Sequence, residues 1–253
     1  MHSISEQEYL ASCCDIARRA GQLIMTHYQA GGQTRHKQDN SPVTDADVEA
    51  NRLITQALSA MSPHIPVVAE EDENPAQEGH ARFWLVDPLD GTRAFVAGEP
   101  EFTVNIGLIE NSTPALGVIY LPPLDLLYFG GPGIGVWRQT GADAPTVIAA
   151  RKVPAEGVTV VKSKSHPSRA TQAYLDKLKI AKMLPGSSSI KFCQIAEGAA
   201  DIYPRFGRTM EWDTAAGHAI LLAAGGRVET VDGKPLGYGK PTYENPSFIA
   251  FGA

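Results

Sequence analysis

The sequence predicts an α/β protein built in two parts. Three observations point there: two amphipathic helical stretches open the chain, short apolar runs separated by turn signals follow, and beyond residue 157 strands and helices alternate with short connections. The turn-rich segment TGADAPTVIAARKVPAEG divides the two patterns. It sets an N-terminal α+β unit over residues 1–145 and a C-terminal α/β unit over 155–253.

Taken in order, Tyr9, Leu10, Ile16, Leu23 and Ile24 recur at roughly helical spacing and predict a helix over 4–29, which Gly31 and Gly32 stop. Thr44 caps a second helix with Val48, Leu53, Ile54, Ala57 and Leu58 as its inward face. IPVVAEE and FWLVDPLD read as strands flanking a mobile loop, EDENPAQEGH. Residues 102–109, 115–120 and 125–129 are three more strands, separated by an Asn-Ser turn and a Pro-Pro turn, and GGPGIGVW turns into another. Its glycines lack the strand-to-helix setting of a dinucleotide fingerprint. The second part then reads as strand VTVVK, a helix near 167–178, strand IAKMLP, a helix over 188–197, a short AADIY strand and a helix from Asp213 to Ala224. No internal repeat or low-complexity tract interrupts the pattern.

The charge balance, 22 Lys and Arg against 28 Asp and Glu for a net −6, argues against a nucleic-acid polymer as partner. A small phosphorylated substrate stays compatible, because bound cations reverse a local acidic field. Cys13, Cys14 and Cys193 form neither an even set nor a metal-binding spacing. The amino terminus lacks the pattern of a secretory signal, and no stretch reaches the roughly 20 apolar residues that cross a bilayer. The cytosol is the expected location, with peripheral association at the inner membrane and the oligomeric state left open.

The chemistry concentrates in acidic residues at element edges. In LVDPLDGTRAF, Asp87 and Asp90 flank a proline turn at the end of an apolar strand, so both carboxylates can converge, with the Leu89 carbonyl between them. Gly91 accepts a tight backbone geometry, and Thr92 stands where it can cap a following turn. An all-oxygen set suits a hard cation such as magnesium. Taken alone, DPLDG reads as a solvated loop; the apolar strand before it and the Thr-Phe segment after it aim the carboxylates from a rigid edge. Glu70 directly follows the VVA strand and is the best inward-facing member of an otherwise surface-like acidic run. Asp213 in EWDTAAGHAIL sits at a helix start, as a cap, as a ligand or as both. Asp45 and Asp47 sit at another helix start, where a carboxylate paired with Thr92 would orient and deprotonate a water.

These motifs resemble the magnesium-dependent, lithium-sensitive phosphatase superfamily of inositol monophosphatases, fructose-1,6-bisphosphatases and 3'(2'),5'-bisphosphate nucleotidases. The resemblance spans about residues 5–250 and is most specific in DPLDGTRAF and EWDTAAG. It implies a layered α/β/α/β/α sugar-phosphatase sandwich. It also implies two or three Mg2+ ions on Glu70, Asp87, the Leu89 carbonyl, Asp90 and Asp213, and a water activated by Asp47 and Thr92. Within the superfamily, SPVTDAD, AEED, WLVDPLDGT, GEPEFTVNIGLI and GSSSIKFCQIAEGAADIYPR look most like the bacterial bisphosphate nucleotidases of sulfur assimilation. That implies removal of the 3'-phosphate from adenosine 3',5'-bisphosphate, and in some relatives from its sulfated derivative. Gly91, Thr92 and Asp213 would touch the substrate, and His166, Gly186 and Lys191 are carried over as nucleotide-pocket residues. Arg205 stands where inositol monophosphatases have a hydroxyl-binding glutamate, and would favour a second phosphate. Inositol monophosphatase activity is the alternative within the superfamily, and an acidic metal-binding protein without catalysis the alternative outside it.

Overall fold

The computed structural model describes residues 4–30, 34–36, 42–72, 79–163 and 169–253. The glycine stop at 31 and 32, positions 73–78 of the acidic loop and His166 lie outside them.

The first helix, α1 (Glu6–Ala30), buries Tyr9, Leu10, Cys13, Ile16, Ala17, Ala20 and Ile24, a stripe at helical spacing. A short antiparallel pair, β1 (Thr34–His36) and β2 (Pro42–Thr44), leads into α2 (Asp45–Met61). Both helices cover one face of a seven-stranded sheet whose strands lie in chain order: β3 (Val67–Ala69), β4 (Arg82–Asp90), β5 (Thr103–Glu110), β6 (Thr113–Leu121), β7 (Leu126–Gly131), β8 (Gly135–Thr140) and β9 (Thr146–Val147). Trp84, Val86, Val104, Ile106, Leu108, Leu116 and Val118 meet the helices there. Each such fully buried side chain contributes on the order of 1.5–3 kcal/mol.

The opposite face of this sheet receives α6 (Ala215–Ala223), which lies beside α5 (Ile190–Ala196). The contact is close. A Cβ on Gly117 would lie 2.2 Å from the Ala216 carbonyl oxygen, so glycine is what lets α6 settle on β6. Beyond these helices stands a five-stranded sheet ordered β11 (Ile180–Gly186), β10 (Val158–Ser163), β12 (Ile202–Arg205), β14 (Phe248–Phe251) and β13 (Arg227–Thr230). Its inner face adds Tyr203 and Phe248 to the core shared with Phe192 of α5, and α4 (Arg169–Leu175) covers Val160, Ile202 and Ile249 on the outside. Helices, sheet, helices, sheet and helix thus stack as the expected five layers.

The differences from expectation are local. Val48 is 47% exposed, because Asp47 at 2% takes the inward position in the first turn of α2, beside Ala46, Ala50 and Asn51. The last helix starts at Ala215, and Asp213 ends a separate 3-10 turn, Glu211–Asp213. The helix expected over 167–178 ends earlier, at Leu175, its described part being Arg169–Leu175. The pairs β1–β2 and β13–β14 are additional to the expected strands. None of the described helices is long and apolar enough to cross a membrane.

Candidate active site

The site forms where β4 ends. Pro88 cannot donate to the ladder, and pairing with β5 shifts register between Asp87 and Asp90. The irregularity lets both carboxylates leave the strand on its way to Gly91. That glycine adopts φ 102°, and a Cβ there would lie 2.8 Å from the Glu101 carbonyl oxygen, so the tight turn into α3 (Thr92–Val96) excludes side chains.

Glu70, immediately after β3, joins Asp87 and Asp213 in a trio in which one carboxylate oxygen from each lies within 4.8 Å of the other two. Asp87 is 1% exposed. Burial, and then the charges of Glu70, Asp90 and Asp213, hold its carboxyl well above the usual range. Asp213 rises to about 8 through burial and the Asp90 charge, against a hydrogen bond from the Met210 amide at 2.8 Å. Buried carboxylates that oppose one another this strongly fit a divalent cation, which would relieve both the desolvation and the repulsion. The chemistry of the donor set, oxygen only, fits magnesium among such ions.

Asp90 stands beside the trio, its Oδ2 accepting the Ser189 hydroxyl at 3.0 Å. Thr92 Oγ1 donates toward Asp47 Oδ1 at 3.1 Å and the Leu89 carbonyl at 3.2 Å. Asp47 Oδ2 accepts both the Thr44 amide at 2.7 Å and the Thr44 hydroxyl at 2.6 Å, which fixes the carboxylate at the start of α2. Asp47 and Thr92, 45 residues apart in sequence, are therefore neighbours. Asp45 faces outward and pairs with Arg35.

A cavity of about 200 Å3 adjoins the carboxylates, lined by Asp90, Ser188, Lys191, Tyr203, Arg205 and Asp213 among others. Burial pulls the Lys191 ammonium down to about 8, against the attraction of Asp90. The ammonium donates to the Ser188 carbonyl and lies 5.3 Å from the centre of the Tyr203 ring. Arg205 donates through Nη2 to the Arg208 carbonyl at 3.1 Å, while its Nε is buried without a hydrogen-bond partner among the described residues. Gly186 closes β11 behind this wall: a Cβ there would lie 2.7 Å from Lys191 Cγ, so its place is set by packing around Lys191. A larger groove of about 1100 Å3 between α1 and α2 gathers mixed charges such as Asp15, Arg19, Glu49 and Arg52, but no carboxylate cluster.

Sequence reasoning passed over Ser188, Ser189, Asn105 and Thr103. Ser188 takes φ 53°, its hydroxyl meets Thr103 Oγ1 and also donates to the Asp90 carbonyl at 3.1 Å, and Ser187 donates to Glu101. The signal was present as GSSSIK, three hydroxyls in a row before a helix, but such a run ordinarily reads as capping.

The inositol monophosphatase family matches residues 5–251, nearly the whole chain. This chain belongs to the inositol monophosphatase family. Among its relatives in that family, the 3'(2'),5'-bisphosphate nucleotidase CysQ of Buchnera aphidicola is 43% identical over 251 residues, covering 96% of this chain and 94% of the relative. The corresponding CysQ of Salmonella typhimurium is also 43% identical, over 94% and 98%. The crystal structure of CysQ from Bacteroides thetaiotaomicron superposes with a TM-score of 0.85 at 35% identity and covers 99% of both chains. Family membership thus agrees with the layered fold and with the oxygen-rich cluster at its centre.

Proposed function

We propose that the chain hydrolyses the 3'-phosphate of adenosine 3',5'-bisphosphate to AMP and inorganic phosphate, with magnesium as cofactor, and acts in the same way on the sulfated 3'-phosphoadenylyl derivative. The observation that carries this reading is the convergence of Glu70, Asp87 and Asp213 next to a hydrogen-bonded Thr92–Asp47 pair and a cavity lined by two cations. CysQ relatives at 43% identity over most of the chain support the choice of a nucleotide. Three free cysteines suit a reducing compartment, the cytosol. In this reading residues 1–145 and 155–253 act as two units, the second contributing Asp213 and the nucleotide pocket.

Glu70, Asp87, Asp90, Asp213 and the Leu89 carbonyl would hold the ions, two or three in number. Bound there, magnesium supplies positive charge and Lewis acidity toward water and phosphoryl oxygens. The rest falls to the chain itself. Thr92 Oγ1 accepts a hydrogen bond from the attacking water and relays its proton to Asp47, whose Oδ1 already lies 3.1 Å away. The water oxygen bonds to phosphorus in line with the departing ribose oxygen, that P–O bond breaks with its electron pair on the ribose oxygen, which takes a proton from solvent water, and no phosphate becomes attached to the protein. The amides around Gly91 and Thr92 face the transferred phosphoryl oxygens. Lys191 and Arg205 neutralise the phosphate that does not react.

Inositol monophosphatase activity is the second reading, since the same carboxylates serve any phosphate monoester. Phosphate release from a panel of substrates decides between them. The expected kcat/KM for adenosine 3',5'-bisphosphate exceeds that for inositol 1-phosphate by at least about 10²-fold, roughly 2.7 kcal/mol, and Arg205→Glu erodes the difference by weakening the nucleotide reaction. Comparable wild-type efficiencies overturn the nucleotide assignment. Unchanged kinetics in Arg205→Glu overturn only the role of Arg205.

A further inference from the structure

Ser189 occupies the N-cap position of α5, where a serine hydroxyl ordinarily satisfies a free helical amide. It makes no such bond. Its Oγ lies instead 3.0 Å from Asp90 Oδ2 and 3.0 Å from the Asp213 carbonyl oxygen, and it receives the Asn105 amide at 2.9 Å. Ser189 and Asn105 are each 1% exposed, so these bonds form away from water, where polar groups left unmatched are costly.

The counting is restrictive. A hydroxyl has one proton and two lone pairs. With Asn105 donating to it, the Ser189 proton has, among the described residues, the Asp90 carboxylate and the Asp213 carbonyl as its acceptors. A charged acceptor makes the stronger bond. Asn105 stands on β5 directly across from Asp87, in a strand whose neighbours Val104 and Ile106 are apolar. Its own Oδ1 is buried without a partner among the described residues. An asparagine in a buried central strand is a standing cost to stability, which makes its donation to Ser189 the informative contact.

We propose that Ser189, oriented by Asn105, is a positioning residue for the cation site. It donates to Oδ2 of Asp90, carried by β4 of the seven-stranded sheet, while Asn105 on the neighbouring strand holds its oxygen in place. The inference rests on the magnesium reading given above. It adds that the geometry of the ligands is set by a hydroxyl and an amide that touch neither substrate nor ion.

The test is magnesium binding to the full-length protein by titration calorimetry, alongside steady-state kinetics. Ser189→Ala is expected to weaken magnesium about 10-fold, the lower range for partners that orient a metal's ligands. The loss in kcat at saturating magnesium should be smaller than the loss in affinity. Ser189→Thr, which keeps the hydroxyl, should restore affinity to within about threefold of wild type. Asn105→Ala should reproduce the Ser189→Ala defect, and the double variant should be little worse than either single one, because the two residues act as a unit. Affinity within about twofold of wild type in both single variants, measured on folded protein, overturns the proposal. So does a fully additive double variant. If Ser189→Ala does not fold, Asn105→Ala and Ser189→Thr still decide the matter. A wild-type protein that binds no magnesium would instead overturn the parent reading.

Discussion

Two regions bring carboxylates to the same point by different means. Asp87 and Asp90 arrive on β4, a strand paired on both sides inside a seven-stranded sheet and interrupted only by the Pro88 irregularity. Asp213 arrives on a 3-10 turn whose neighbours are fixed by side-chain bonds. Asn245 donates to the Met210 carbonyl at 2.7 Å and to Thr214 at 3.1 Å, Tyr238 donates to Thr214 at 3.2 Å, and His218 meets Tyr238 at 3.1 Å. Buried Glu211 clamps the amides of Gly239 and Lys240 at 2.8 and 2.9 Å. The strand side is held by a ladder that tolerates change in a single side chain. The turn side is a polar web in which each member depends on the next.

The largest expected effect tests the strand side as chemistry. Asp90→Asn keeps the shape of the side chain and the ladder of β4, so the fold should survive. It removes a charge from the cluster, and kcat/KM should fall by at least about 10³-fold, on the order of 4 kcal/mol. Near-normal magnesium-dependent turnover in a folded Asp90→Asn protein would remove Asp90 from the ion site. A chelator should abolish wild-type turnover and restore it when excess magnesium is returned.

A smaller effect should follow at Thr92, where α3 begins. Thr92→Ala leaves the carboxylates in place and deletes the hydroxyl between Asp47 and the Leu89 carbonyl. The drop, about 10²-fold, should fall on kcat rather than KM, since in the proposed reaction the hydroxyl acts while the water is being activated. Asp47→Asn should give a related loss, and the double variant should lose far less than the product of the two. Full additivity, or an unchanged kcat in Thr92→Ala, would separate the pair.

The same contrast explains what could be read before any coordinates. Strand-borne features were legible: FWLVDPLD announces a buried strand that ends in carboxylates, and α1 shows its apolar stripe at helical spacing. Glu70 was legible too, as the first acid after an apolar strand. Features made by side-chain bonds were not. Nothing local marks Asn105 as the partner of Ser189, 84 positions away, or makes Thr214 rather than Asp213 the N-cap residue of α6. Val48 misled because an apolar residue next to a polar one reads as the inward face. Bonds from Thr44 and Thr92 turn Asp47 inward instead. The four-residue strands β13 and β14 lie 17 residues apart in turn-rich sequence, too short for a periodic signal.

The smallest effect tests the turn side as structure. With the Tyr238 proton directed to Thr214, the neutral His218 ring donates through Nδ1 to the Tyr238 oxygen. Burial lowers its pKa from 6.5 to about 3, so the folded protein holds the ring uncharged where the unfolded chain would protonate it. The sign follows: between about pH 6.5 and 3 the unfolded state binds the extra proton, so acid favours unfolding. Stability from this group is complete above pH 6.5 and declines by up to about 1.4 kcal/mol per pH unit below it. His218→Gln keeps an amide donor and cannot be charged. Its unfolding free energy, measured in urea from pH 7 to pH 4.5, should start below that of the wild type and fall less steeply. Parallel pH profiles for the two proteins would mean that His218 is not held neutral in the web behind Asp213.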